Sequence, residues 1–193
     1  MNYLRPGDAL VVVDVQNDFL PGGTLPVPDG QEVIPALQRY LDIFVEASAP
    51  VFVTRDWHPP NHCSFHAQGG PWPAHCVAET HGAEFPHSLR LPASSIVISK
   101  GTDPAQDAYS GFQGTSLHDH LQAAGIMRLL VGGLATDYCV LETVLDARRL
   151  NYVVYLLVDA VRAVNVFPED GPRAEASMVA AGAIPFRVEQ LVA

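Results

Sequence analysis

Apolar residues in this chain recur in short unbroken runs rather than in alternation. VVVDV follows Leu10, PVFVTRD spans 50–56, SIVISK spans 95–100, RLLVGGL spans 128–134 and YVVYLLVD spans 152–159. The first four are apolar at consecutive positions, the pattern of strands covered on both faces. Between the runs, EVIPALQRYLDIFVEA, SLHDHLQAAG and DYCVLETVLDARRLN carry apolar residues at helical spacing, and PRAEASMVAAG leads into a last short strand, IPFRV. Gly125 and Gly182 stand where helices would end in a left-handed cap. Repeated strand–helix–strand units leave few solutions, because each crossover returns the next strand parallel to the last. The predicted architecture is an α/β three-layer α-β-α sandwich around a mainly parallel, Rossmann-like sheet of about six strands. Two segments break the rhythm: the loop Pro21–Pro28 and an insert at about residues 55–93, too long for a plain connection. No repeat or linker divides the 193 residues, so a single domain, 1–193, is expected.

Charge and cysteine usage exclude several function classes. Formal net charge is −10, and the eleven basic residues are scattered, with only Arg148 and Arg149 adjacent. No phosphate-tracking patch results, which argues against a nucleic-acid partner. No apolar segment approaches the roughly 20 residues of a membrane helix, and the run after MNYLRPGD is too short for a signal sequence. A cytoplasmic protein without a membrane partner is expected. Three cysteines, an odd count, argue against a disulfide framework.

In open parallel sheets, ligands bind outside the carboxyl ends of the strands. Here Asp14 is near the end of the first strand, Asp56 follows the second, Lys100 ends the third, and the turn GGLATDYC follows the fourth. A charge often does no more than stop a strand, but these four converge on one edge. Gly132 and Gly133 permit a tight strand-to-helix turn. With Thr136 or Asp137 as N-cap, Cys139 falls in the first helical turn, where the helix dipole and Lys100 would favour its thiolate. A buried cysteine is commonly just a small hydrophobe. Together, however, Asp14, Lys100 and Cys139 supply a base, a cation and a nucleophile, the set required for amide hydrolysis through a thioester.

The insert begins RDWHPPNHCSFHAQGGPWPAHCV, which holds four of the eight histidines and two of the three cysteines. Asp56 and His58, two apart, project to the same side of an extended chain, and His75 can fold back across the Gly-Gly turn. One carboxylate with imidazoles suits a catalytic or substrate-binding divalent metal such as Zn, Fe(II) or Mn. The plainer reading of the same residues is a hydrated loop with solvent-facing histidines.

VVVDVQNDFLPGGTLPV, the VTRDWHP…WPAHCV block, SKGTDP…YSGF and GGLATDYCV resemble, in order and from about residue 8 to 190, the nicotinamidases (pyrazinamidases) among the isochorismatase-like cysteine hydrolases. That resemblance implies a metal-dependent amidohydrolase converting nicotinamide, and pyrazinamide, to the acid and ammonia in NAD salvage. It implies Asp14, Lys100 and Cys139 as catalytic residues and Asp56, His58 and His75 as ligands of one divalent ion, zinc foremost. It places a cis peptide at Leu134–Ala135, an oxyanion hole at the N–H groups of Ala135 and Cys139, and a ring pocket at Phe19, Leu25, Trp72 and Tyr109. A further ligand is expected at His62 in preference to His66, or at water. The partner implied is a small pyridine carboxamide, with a homo-oligomer left open. Other cysteine amidohydrolases acting on ureido or carbamoyl groups, an isochorismatase, and a catalytically silent metal-binding protein are the alternatives.

Overall fold

The computed structural model describes residues 4–192, so residues 1–3 and 193 of the expected domain lie outside it. The chain runs β1 (Asp8–Val13), α1 (Val33–Glu46), β2 (Val51–Asp56), β3 (Ile96–Lys100), α2 (Leu117–Ala123), β4 (Arg128–Leu134), α3 (Leu141–Arg149), β5 (Val153–Arg162), α4 (Asp170–Ala180), β6 (Ile184–Phe186) and α5 (Glu189–Val192). The six strands form one sheet in the order β3-β2-β1-β4-β5-β6, every pairing parallel. The expected parallel α/β architecture is therefore present.

The unbroken apolar runs follow from this arrangement. Along β1, Leu10 and Val12 enter the core layer that contains Leu37, Leu41 and Phe44 of α1. Ala9, Val11 and Val13 point the other way, into a layer with Val144 of α3 and Met178 of α4. Both faces are dry, so neither set of alternate positions can be polar. Gly125 and Gly182 take left-handed φ values of 65° and 94° after α2 and α4, as the cap positions predict.

The end of β5 and the start of α3 differ from the sequence reading, whereas the insert carries no α-helix, in line with it. The crossover from β2 to β3 contains only short 3-10 turns and the insert, with no α-helix. The insert is organised by its own bridges, His58 to Val77 and Phe65 to Trp72. β5 continues to Arg162 rather than ending at Asp159, because its pairing with β4 jumps from Val131–Leu156 to Gly133–Val161 across a bulge. α3 begins at Leu141, preceded by a π-helical turn over Thr136–Val140.

The chain leaves β1 toward β2 and β3, then returns on the other side of β1 to build β4, β5 and β6. The crevice between the carboxyl ends of β1 and β4 is the topological switch point, where such sheets bind ligands. The two strands meet closely there. A Cβ on Gly133 (φ 130°) would lie 2.0 Å from the Val13 carbonyl oxygen, so no larger residue fits without parting them.

Candidate active site and metal centre

Asp14 is the first residue beyond β1 and turns the chain with a left-handed φ of 49°. Its side chain is fully buried. Thr54 of β2 donates its hydroxyl to Asp14 Oδ1 at 2.6 Å. Asp14 Oδ2 lies 2.9 Å from Lys100 Nζ, yet accepts no hydrogen bond of good direction. A carboxylate oxygen is thus left without a hydrogen-bond donor, in a group whose Asp14, Asp56 and Cys139 atoms lie within 4.8 Å of one another.

Lys100, at the end of β3, joins everything around it. Its ammonium is 2.5 Å from Asp56 Oδ1, 2.9 Å from the Ala108 carbonyl and 3.4 Å from Cys139 Sγ. Burial alone would lower its pKa, but Asp14 and Asp56 hold it well above the usual lysine range. Asp56 is likewise pushed up by burial and pulled down more strongly by Lys100 and the histidines, so it stays ionised. For Asp14 burial prevails and its pKa is raised.

Cys139 sits in the π-helical turn after β4, 7% exposed. Lys100 does approach it, as the sequence implied, but the expected low thiol pKa is not found. Burial, reinforced by Asp14 and Asp56, outweighs the lysine and keeps the thiol protonated. Nor do Thr136 and Asp137 cap the helix: the capping position is Ala135, without a side-chain bond, and Asp137 instead accepts the Val164 and Asn165 N–H groups at 2.9 and 2.8 Å. The Leu134–Ala135 peptide is cis. The Ala135 N–H has no hydrogen-bond partner among the described residues.

Asp56, His58 and His75 bring one donor atom each to within 4.8 Å of one another, all three side chains buried. Their hydrogen bonds determine which atoms are free. His58 Nδ1 meets the Gly101 carbonyl at 2.9 Å, and His75 Nδ1 meets the Pro73 carbonyl at 2.8 Å. A carbonyl only accepts, so each Nδ1 carries a proton and each Nε2 is turned toward Asp56. Burial lowers the His58 pKa, but Asp56 and the Gly101 carbonyl together raise it more, so a metal would replace a proton there. His75 is kept neutral by burial, against the pull of Asp56. Asp56 divides its carboxylate, Oδ1 toward Lys100 and Oδ2 3.7 Å from His58 Nε2. One carboxylate oxygen and two imidazole nitrogens on one side, with room left over, is a donor set that fits a divalent metal.

His62 lies beside this set rather than among its three donors. Its ring stacks on His58 at 4.0 Å between centroids. Its Nε2 faces the Gln106 carbonyl at 3.1 Å and its Nδ1 the Ser64 hydroxyl at 2.7 Å, so both nitrogens are occupied. His66 is exposed and bonded to the Gly70 carbonyl. Neither belongs to the group formed by Asp56, His58 and His75.

Phe19, Leu25, Trp72 and Tyr109 line a cleft of about 400 Å³, mouth included, that contains Cys139, Ala135, Asp56 and His75. The Trp72 indole N–H donates to the Tyr109 hydroxyl at 3.0 Å, which fixes both rings. Sequence features do not single out Tyr138, Val27 and Val164, which complete the wall. Tyr138 packs edge-on against Trp72 at 5.1 Å, and only its adjacency to Cys139 could have marked it. Gln16 is also unmarked, although its buried amide grips the Asp56 backbone on both sides, accepting from its N–H and donating to its carbonyl, each at 2.8 Å. The crevice therefore sets a protonated thiol, an ionisable carboxylate, a shared ammonium and a candidate metal centre around one flat apolar slot.

The family model described as the Isochorismatase domain matches residues 8–190, and the chain belongs to that family. Within it, the chain is 41% identical to the nicotinamidase of Escherichia coli (strain K12), over 92% of this chain and 93% of that protein. It is similar to the pyrazinamidase of Pyrococcus horikoshii, solved in complex with zinc, at 48% identity and a TM-score of 0.91, covering 94% of this chain and 99% of the other. A protein from L. infantum solved in complex with nicotinate is 34% identical with a TM-score of 0.88, covering 95% and 94%.

Proposed function

We propose that this chain is a metal-dependent cysteine amidohydrolase that converts nicotinamide to nicotinate and ammonia, and pyrazinamide to pyrazinoate, in NAD salvage. One observation carries the reading. Lys100 Nζ touches Asp14, Asp56 and Cys139 at once, and the thiol, Asp56 and His75 line one apolar cleft. The similarity to nicotinamidases and to a zinc-bound pyrazinamidase supports the substrate class and the metal.

Asp56, His58 and His75 would hold the ion, zinc in this reading. When bound, it supplies a Lewis acid to which the ring nitrogen of a pyridine or pyrazine can bind. The chain's own groups do the rest. Phe19, Trp72 and Tyr109 clasp the ring in the slot and exclude water. Asp14 takes the Cys139 proton as sulfur attacks the carboxamide carbon, and the Lys100 ammonium balances the negative charge. The N–H groups of Ala135 and Cys139 receive the oxyanion. Asp14 returns the proton to the departing nitrogen, releasing ammonia and leaving a thioester. It then deprotonates a water that attacks the thioester, and the acid leaves as sulfur recovers the proton. The substrate is a small molecule and the cytoplasm is the compartment this reading assigns.

Ammonia release from nicotinamide by the purified, zinc-supplemented protein tests the proposal, with benzamide and Cys139→Ala in parallel. Release from nicotinamide that greatly exceeds release from benzamide, and that vanishes in Cys139→Ala, is expected. Equal rates on the two amides would remove the metal from recognition, and no release at all would sink the assignment.

A further inference from the structure

Asp18 is a carboxylate with only 7% exposure, and no lysine, arginine or histidine pairs with it among the described residues. Its partners are backbone amides. Oδ2 accepts the Cys76 N–H at 2.7 Å, and Oδ1 accepts the Thr24 N–H at 3.2 Å. The fold makes space for it: a Cβ on Gly82 would lie 2.1 Å from Oδ2. A charge buried in this way is stabilised by donors that would be stranded in its absence, and Cys76 is such a donor, fully buried and in a left-handed conformation with φ 45°.

What Cys76 connects gives the contact its meaning. It follows His75 directly, and its carbonyl accepts the His58 N–H at 3.0 Å. The amide held by Asp18 therefore belongs to a residue that ties the two histidine segments of the candidate metal centre together. The other side of Asp18 reaches the ring slot. Its own carbonyl accepts the Leu25 N–H at 3.0 Å, and the next residue, Phe19, packs against His75 with ring centroids 5.7 Å apart.

We infer that Asp18 is a positioning residue that locks the His58 and His75 segments to the Phe19–Leu25 wall, fixing the distance between the metal and the substrate ring. The inference rests on the reading that Asp56, His58 and His75 hold the ion. A neutral amide at position 18 has one acceptor oxygen for two N–H donors, so it serves one side of the junction and releases the other. An apolar residue of similar size releases both.

The test is the zinc affinity of the purified protein, read by competition with a chromophoric chelator, for wild type, Asp18→Asn, Asp18→Leu and Asp159→Asn. Asp159 is the control because it makes the same kind of contacts, accepting the Val188 N–H at 3.0 Å and the Tyr40 hydroxyl at 2.9 Å, away from the site. Metal-free melting temperatures of all four identify folded protein and any general loss of stability. Asp18→Asn is expected to bind zinc about tenfold or more weakly, as when a partner that orients a ligand is removed. Asp18→Leu should be weaker still where it folds, while Asp159→Asn melts lower and keeps wild-type affinity. Undiminished affinity in Asp18→Asn overturns the inference, whatever its melting temperature. Failure of wild-type protein to bind zinc overturns the metal reading and this inference with it.

Discussion

At the scale of single residues, the contest over Cys139 is decided by burial. Its thiol stays protonated although a lysine ammonium lies 3.4 Å away, so nucleophilicity depends on the carboxylate that removes the proton. Asp14→Asn should therefore slow alkylation of Cys139 by iodoacetamide near neutral pH by about 100-fold, the lower range for losing a positioned base, and abolish turnover as well. Mass spectrometry of the alkylated peptide reads the first effect and ammonia release the second. Tyr109 offers an independent check on the cleft. Burial pushes its phenol up to about 12 from the ordinary 10.0, so the unfolded chain releases that proton first. Its contribution to stability is complete below pH 10.0 and is lost as pH rises toward about 12. Tyr109→Phe should show a shallower stability loss in that window, measured by urea unfolding at stepped pH. The convergence of Asp14, Asp56, Lys100, His58 and Cys139 was legible because each stands at a strand end, in the turn after one or in the D-x-H pattern, and that of His75 because a Gly-Gly turn can fold it back. Phe19, Leu25, Trp72 and Tyr109 were legible only by resemblance, since a ring in a loop looks like any other buried aromatic. The contact of the His62 ring with a carbonyl 44 residues away was illegible, because only the fold brings the two together.

At the scale of elements, the seam between β1 and β4 tolerates least. Gly133→Ala puts a methyl carbon 2.0 Å from the Val13 carbonyl oxygen at a φ of 130°, so overpacking and backbone strain act together. A loss of about 3 kcal/mol or more is expected, visible as a lower urea midpoint or as insoluble protein. The strands and helices themselves were readable because burial on both faces and one-sided helical burial leave different periodicities. The β5 bulge was not, since register is a property of two strands and neither run of residues contains it. The start of α3 was misread for a related reason: TDYCV has good capping chemistry, but Asp137 is drawn to the backbone of Val164 and Asn165 instead.

At the scale of the molecule, the candidate metal centre joins the sheet to the insert. Asp56 ends β2, whereas His58 and His75 belong to the insert, which holds only short 3-10 turns. An ion held by all three should stabilise the native state by mass action, about 2.7 kcal/mol at a free concentration of 100 Kd. Chelation should then lower Tm by about 5–10 °C, zinc should restore it, and His58→Ala should be insensitive to both, as differential scanning fluorimetry would show. The crossover that hosts these ligands also feeds β3, an edge strand paired only with β2 and with Val97 44% exposed. Edge segments open locally well before a domain unfolds. Because Lys100 is the last residue of that strand, its opening would withdraw the ammonium from Asp14, Asp56 and Cys139 together. Hydrogen–deuterium exchange should be faster in β3 than in β1 or β4, and activity should fade at denaturant concentrations that leave the rest of the sheet intact. The working lifetime of such a catalyst is then the residence time of its outermost strand.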